Sequence, residues 1–332
     1  MLGKSTGPRY DEQMPQTDTE LKPSAVEPLP PNITSVQPGG GVCYSIELAW
    51  GRWRRWCLRT FRTGYVRRMA ALRHGETSGC PHEILDPRDL KYCRNLCTAW
   101  WDEEDDPFAW RGRLPFARWG LAELQILGYP LLAVTVLLAC TAWWPLAIGP
   151  GVLFGLVVYF FRDPQRKIPQ DAGLMVSPAD GKIAEITPLE HDSFIGGPAV
   201  RIGIFLSIFN VHLNRVPCGA RVLSLRYLPG KFLNALKPES ARENESMWIG
   251  LEDAGQSRRR LIVRQITGQF ARRIVCGLRP GETLARGQQF GMIKLGSRTE
   301  LILPATEGLK IVVEVGQRVA AGSSVLARYA EG

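Results

Sequence analysis

The chain has 332 residues, 45% of them hydrophobic and 22% charged. That length allows two domains, and the hydrophobic share is ordinary for a globular protein. The formal net charge of +9 points to an anionic partner, nucleic acid or a membrane surface, while no cleavable signal peptide opens the chain and no disulfide framework is expected of its eight cysteines in a cytoplasmic setting.

The first forty residues hold seven prolines and almost no hydrophobic periodicity, the pattern of a disordered segment. Residues 41 to 110 carry Cys43, Cys57, Cys80, Cys93 and Cys97, and a Trp/Arg cluster from Trp50 to Arg62. His74, Cys80, His82, Cys93 and Cys97 are ligand types for zinc, but the paired Cys-x-x-Cys knuckles of common structural sites are missing, so no metal is expected. Residues 1–110 read as a largely disordered extension.

Residues 111–168 hold an apolar block, Ile126 to Phe161, with no charged residue between Glu123 and Arg162. Arg111, Arg113 and Arg118 precede it and Arg162, Arg166 and Lys167 follow it, so both flanks carry the charge of cytoplasmic ends. That placement favours a membrane over nucleic acid. Gly149-Pro150-Gly151 divides the block into two arms, each short of the ~20 residues of a spanning helix. The expectation is a helical hairpin dipping in from the cytoplasmic face; the alternative is a hairpin buried in a soluble core.

Beyond Pro169 the pattern changes to strands. Runs at Leu174–Ser177, Val200–Leu206, Arg221–Tyr227, Leu261–Ile266, Ile274–Cys276, Glu300–Leu303 and Ile311–Val315 lie between Gly, Pro and Asp turns, which predicts a mainly β domain over 169–332. One internal repeat is visible. Gly281-Glu-Thr-Leu284-Ala-Arg-Gly287 recurs as Gly316-Gln-Arg-Val319-Ala-Ala-Gly322, offset by 35 residues. Such turns look like the hammerheads of lipoyl and biotin carrier domains, giving a compact domain with barrel-sandwich features. A carrier would need an acceptor lysine at a hairpin tip, and Lys310 lacks that setting.

The Gly296-Ser297 bond can break itself. Attack of the Ser297 hydroxyl on the Gly296 carbonyl makes an ester, β-elimination leaves dehydroalanine, and hydrolysis with loss of ammonia gives a pyruvoyl ketone, an electron sink made from the chain. Alone, the dipeptide more often marks a turn. Proton transfer in the β domain has two histidines to draw on, His191 in a polar stretch that looks like a loop and His212 in an apolar run. Asp180, in Ser177-Pro178-Ala179-Asp180-Gly181, is by itself a turn residue.

Five motifs in order change the weighting: Phe160-Phe161-Arg162-Asp163-Pro164; Val176 to Gly181; Phe205-Leu206-Ser207-Ile208-Phe209-Asn210-Val211-His212-Leu213-Asn214-Arg215-Val216-Pro217; Gly230-Lys231-Phe232-Leu233-Asn234; and Gly296-Ser297. Over residues 112 to 330 this series resembles the phosphatidylserine decarboxylase proenzymes, in their short bacterial form. The resemblance implies self-cleavage between Gly296 and Ser297 into chains 1–296 and 297–332, which stay together as a heterodimer. It implies a pyruvoyl group at Ser297 as the only cofactor, without metal or pyridoxal phosphate. It also implies decarboxylation of phosphatidylserine to phosphatidylethanolamine through a Schiff base, at the cytoplasmic face of the cell membrane. Asp180 and His212 are then the groups that drive cleavage, the aspartate orienting the imidazole as in a hydrolytic triad. Longer members carry His-x-x-His where this chain has His212 and Arg215, and arginine is no base. Arg215 and Lys231 are candidates for the lipid's anionic group, and Phe209, Phe232 and Phe290 for an acyl channel, against core packing. Two other classes stay open: a membrane-anchored scaffold without processing, and a pyruvoyl enzyme for a soluble amino acid.

Overall fold

The computed structural model describes residues 24–234, 239–255, 257–269, 273–294 and 296–330. Four helices come first: α1 (Val42–Phe61), α2 (Thr63–Ala71), α3 (Leu121–Ala139) and α4 (Ile148–Phe160). Fourteen strands follow among the described residues: β1 (Leu174–Val176), β2 (Gly181–Asp192), β3 (Gly197–Leu206), β4 (Leu213–Arg215), β5 (Ala220–Leu228), β6 (Ser246–Asp253), β7 (Arg260–Thr267), β8 (Arg273–Cys276), β9 (Thr283–Leu284), β10 (Gln289–Lys294), β11 (Ser297–Pro304), β12 (Leu309–Ile311), β13 (Arg318–Val319) and β14 (Val325–Tyr329). The mainly β expectation for this part of the chain holds.

An eight-stranded antiparallel sheet runs in the order β13-β2-β3-β11-β7-β6-β5-β9, and two three-stranded sheets, β1-β14-β12 and β4-β10-β8, complete the domain. Its core is aliphatic, with Ile183, Ile202, Leu225, Ile249, Val263 and Leu301 all buried. Strand β11 lies in the interior of the sheet between β3 and β7, and all eight of its residues are buried. A strand covered on both faces loses the polar alternation of a half-exposed one, and its outward row is accordingly charged but paired. Arg298 bonds Glu300 at 3.0 Å and Glu185 at 2.5 Å, and Arg264 reaches Glu300 at 3.1 Å.

The repeat seen in the sequence recurs in the backbone bonding. The Gly281 and Gly287 N–H groups donate to the carbonyls of Val222 and Val216, while Gly316 and Gly322 donate to Ile183 and Ser177. Both turns close on Ile168: a Cβ at Gly287 or Gly322 would come within 2.5 or 2.8 Å of its Cδ1. Several boundaries differ from the sequence reading. The last predicted run is a strand only to Ile311, with Val312 and Val315 exposed. His191 stands in β2 rather than in a loop, and is exposed.

The apolar block forms α3 and α4, packed where Gly151 meets Thr135 and Gly128 meets Phe154. The break falls at residues 140–147, not at Gly149-Pro150-Gly151, which lies in the first turn of α4. A first-turn proline has no intrahelical N–H bond to lose. The helical run Arg118–Ala139 is long and apolar enough to cross a membrane, with a mean hydropathy of 1.8 and 11% of its apolar window buried. Leu132, Val136, Leu137, Val152, Leu153 and Leu156 are exposed, so the alternative of a hairpin buried within a soluble core does not describe these helices.

Residues 24–110 also depart from expectation. Residues 24–40 lack helix or strand yet run along the β domain: Glu27 N–H donates to Leu223, and Val36 both donates to Tyr92 and accepts from Cys276. These backbone bonds, with Ile33 and Val36 buried, hold the segment in place without helix or strand. Helices α1 and α2 follow, and Met69, Ile84, Cys93, Cys97, Ala99 and Trp101 form a small separate core. Arg54 and Arg55 are buried beside it against Asp86 and Asp89. Residues 1–23, part of the segment expected to be disordered, lie outside the described residues.

Candidate active site

Gly296 has φ +43°, in the left-handed region that favours glycine, and a Cβ there would meet nothing within 4 Å. Conformation, not space, selects the residue. Ser297 follows as the first residue of β11, paired with Leu206 on β3 and Thr267 on β7. The serine is thus fixed from both sides while the glycine before it turns. Ser297 is 0% exposed, and its Oγ has no hydrogen-bond partner. An orphaned buried hydroxyl normally costs stability, and this one is free to act as a nucleophile.

A second orphan lies nearby in the topology. The carbonyl of His212 accepts from Ile293 N–H, four residues before Ser297 on the same chain segment. The imidazole is 1% exposed; Nδ1 lies 2.9 Å from the Asn210 carbonyl and Nε2 has no partner. Nδ1 therefore carries the proton and Nε2 presents a free lone pair. Burial drives the pKa down to about 4, the Asn210 bond opposing and Arg162 assisting, so the ring is neutral near pH 7. Phe160, the last residue of α4, covers it at 4.5 Å between ring centroids.

Asp180 is elsewhere than the triad analogy requires. Its carboxylate accepts from Arg166 at 2.9 and 2.8 Å and from Ala321 N–H at 2.7 Å, whereas the imidazole Nδ1 is taken by Asn210. The aspartate anchors a loop and not the histidine in this arrangement. Gly181 next to it is required by space, since a Cβ would sit 2.2 Å from the Phe205 carbonyl. Arg215 donates to Asp163 and to the Gly287 carbonyl, each at 3.0 Å. Burial pulls its pKa down and Asp163 pulls it up. It is an internal ion pair joining two motifs, and its guanidinium is already engaged. Lys231 is exposed on Glu243 at 2.7 Å, which raises its pKa. Phe290 is core, and Phe209 stands exposed at the tip of the 207–210 turn.

The structure adds residues whose roles the motifs do not explain. Asn214 donates to Pro178 and Thr299 at 3.3 and 3.2 Å and accepts from Gln265 at 2.9 Å, tying the aspartate loop, the histidine strand and β11 together. Asn244 bonds both backbone groups of Leu233 at 2.8 Å and the Thr267 carbonyl at 2.7 Å, which brings the Gly230–Asn234 segment to the cross-strand neighbour of Ser297. Glu245, beside it, is buried with an unpartnered Oε1, and burial raises its pKa. Lys294 forms a buried ion pair with Glu123 in the first turn of α3 and bonds Gln37 at 3.1 Å. A carboxamide or lysine within a strand gives no periodic signal of such roles.

Comparison with known proteins gives the family. The family model for phosphatidylserine decarboxylase matches residues 153–327. A phosphatidylserine decarboxylase proenzyme of Rhodopirellula baltica is 55% identical over 243 residues, 73% of this chain and the whole of that protein. Proteins of the same name from Chlorobium phaeobacteroides and Carboxydothermus hydrogenoformans are 43% and 42% identical, covering 61% and 63% of this chain and 98% and 93% of theirs. The chain is therefore an enzyme, a decarboxylase. It belongs to the phosphatidylserine decarboxylase family.

Proposed function

We propose that the chain is a proenzyme that cuts itself between Gly296 and Ser297 and then decarboxylates phosphatidylserine to phosphatidylethanolamine. The observation that carries this reading is the pair of buried, unpartnered atoms, Ser297 Oγ and His212 Nε2, which are a nucleophile and a proton acceptor. A neutral imidazole takes the serine proton as Oγ attacks the Gly296 carbonyl. The amide becomes an ester, and loss of the Ser297 α-proton expels Gly296 as a new carboxylate. Dehydroalanine then adds water and loses ammonia, leaving a pyruvoyl group.

The residues at position 297 fit that group: the serine is dry, held between two strands, and free of competing bonds. A pyruvoyl ketone held at position 297 would supply the electron sink that decarboxylation of an amino acid head group requires. His212 is the proton carrier for the product carbon. Asp180, Asn214 and Arg215 hold the strand and loop that carry it. Lys231, exposed on its loop, meets the lipid phosphate; Arg215, already paired, positions the histidine strand.

The membrane is the place of work. The exposed apolar faces of α3 and α4 enter the bilayer from the cytoplasmic side, with both basic flanks outside it. Arg111 and Arg118, with Trp110 and Trp119, line a cleft of about 630 Å³ beside α3 that also holds Glu47 and Asp106, and this basic, aromatic flank suits an anionic lipid surface. Phe160, the last residue of α4, packs on the His212 ring, which links the hairpin to the site.

Intact mass under denaturing conditions tests the processing. The expected result is two chains, residues 1–296 and a fragment of 332 − 296 = 36 residues with a blocked, pyruvoyl N-terminus. Phosphatidylserine in detergent or bilayers should lose carbon dioxide without added cofactor, and borohydride should trap substrate on the small chain. A fully active single chain, or a requirement for pyridoxal phosphate, would refute the reading.

A further inference from the structure

The sequence spacing argues against a metal, yet the fold brings three thiols together. The Sγ atoms of Cys80, Cys93 and Cys97 all lie within 4.8 Å of one another. Cys97 N–H donates to the Cys93 carbonyl at 3.2 Å, one helical turn, so the two side chains share a face. Cys80 comes from a separate turn in which its N–H donates to Thr77. Gly79 lets that turn close: its φ is +89°, and a Cβ there would lie 2.7 Å from the Leu96 carbonyl. Two unrelated backbone features thus converge on one point.

We propose that Cys80, Cys93 and Cys97 bind a structural zinc ion as thiolates. Zinc takes sulfur at about 2.3 Å in a tetrahedron, which sets the sulfurs about 3.8 Å apart, about 1 Å inside the 4.8 Å limit within which these three lie. Three S–H bonds break, three Zn–S bonds form, and three protons go to solvent, with no oxidation or reduction. Cys80 also lines a cavity of about 450 Å³ with Thr77, His82, Glu83 and Arg73, the last donating to the Ile84 carbonyl at 3.0 Å. A water molecule from that cavity completes the tetrahedron.

The surroundings need such a staple. Between Leu72 and Phe108 the described regular structure is one five-residue 3-10 helix, Pro87–Lys91, and one bridge, His74 to Trp100. Small, loop-rich units with modest cores are stabilised by metals or disulfides. The same unit grips the β domain, Arg279 donating to the Cys97 carbonyl at 2.9 Å and Arg94 pairing with Glu282 at 2.5 Å. Fixing the three cysteines fixes that docking face.

The experiment uses the full chain, purified under reducing conditions without chelator. Elemental analysis should find one zinc per chain, and replacement by cobalt should give a thiolate-to-metal charge-transfer band. Cys93→Ser and Cys97→Ser should weaken metal binding by about tenfold or more, and Cys57→Ser, outside the cluster, should not. Cys80→His should keep the metal with a changed cobalt spectrum, a test that survives if the serine variants fail to fold. Reduced wild-type protein that takes up neither ion would overturn the proposal. So would a native disulfide between two of the three, or full metal content in the Cys93→Ser/Cys97→Ser double variant.

Discussion

The β domain and residues 24–110 are folded by different means. In the β domain, antiparallel ladders enclose an aliphatic core, so stability is spread over many residues of similar kind. In residues 24–110, Arg54, Arg55 and Arg88 converge on Asp86 and Asp89, two helices supply most of the regular structure, and a few polar side chains decide the shape. The difference matters for function. A domain held by dispersed apolar contacts can carry unpaired buried atoms at Ser297 and His212, because no single bond there is essential to the fold. A region held by a small ionic cluster has no such margin.

Substitutions in the two regions should therefore fail differently. The largest effect expected is chemical: Ser297→Ala should stay a single chain on denaturing gels, with no decarboxylation, while its unfolding midpoint stays near that of the unprocessed parent. Loss of fold would place the serine among structural residues. Next comes Asp89→Ala, which takes the carboxylate partner from Arg55 and leaves Arg54 with Asp86; removing one partner of a buried ionic cluster costs about 3–5 kcal/mol. Denaturant unfolding should show that loss while the folded fraction still cuts at Gly296-Ser297. If cutting stops as well, the two regions are not separable.

His212 provides a test by pH. Its folded pKa is about 4 against an ordinary 6.5, so above pH 6.5 both states are neutral and nothing is lost. As pH falls from 6.5 toward 4 the unfolded chain takes up the proton first, and stability declines by up to about 3 kcal/mol at 1.36 kcal/mol per unit. His212→Gln should remove that part of the acid sensitivity. An unchanged profile would mean that the ring is not buried neutral. Cleavage in the wild type should vary little between pH 6 and 8 through this group, and cleavage at the normal rate in His212→Gln would assign activation of Ser297 to another residue.

A smaller effect is expected at Asn214. Asn214→Ala leaves buried partners on Pro178, Thr299 and Gln265, at about 1–3 kcal/mol, and should slow cleavage by loosening three motifs at once. Rescue by Asn214→Gln would argue against exact placement. The smallest effect is at Lys231, whose exposed pair with Glu243 is of the kind that contributes little to stability. Lys231→Ala should leave the unfolding midpoint unchanged, and a rise in KM for phosphatidylserine without a change in kcat would mark it as a lipid contact.

The sequence by itself determined the parts whose signal is local. Alternating β-branched runs between turn residues announced strands β1, β3, β5, β7, β8 and β11, the 35-residue repeat announced two turns that bond alike, and a long uncharged apolar run announced α3 and α4. Through the resemblance of its ordered motifs it also pointed to Gly296, Ser297, His212 and Asp180 as candidates for the chemistry. Tertiary structure alone decided what depends on distant partners. It gave Asp180 to Arg166, Arg215 to Asp163 and His212 to the Asn210 carbonyl, because each hydrogen bond is chosen by which groups the sheets bring within about 3 Å. It ordered residues 24–110, whose charged and cysteine-rich composition suggests no core until arginines find aspartates from a segment some thirty residues on. It also moved the helical break from Gly149-Pro150-Gly151 to residues 140–147, since proline is penalised inside a helix but not in its first turn, and only the fold fixes where that turn begins.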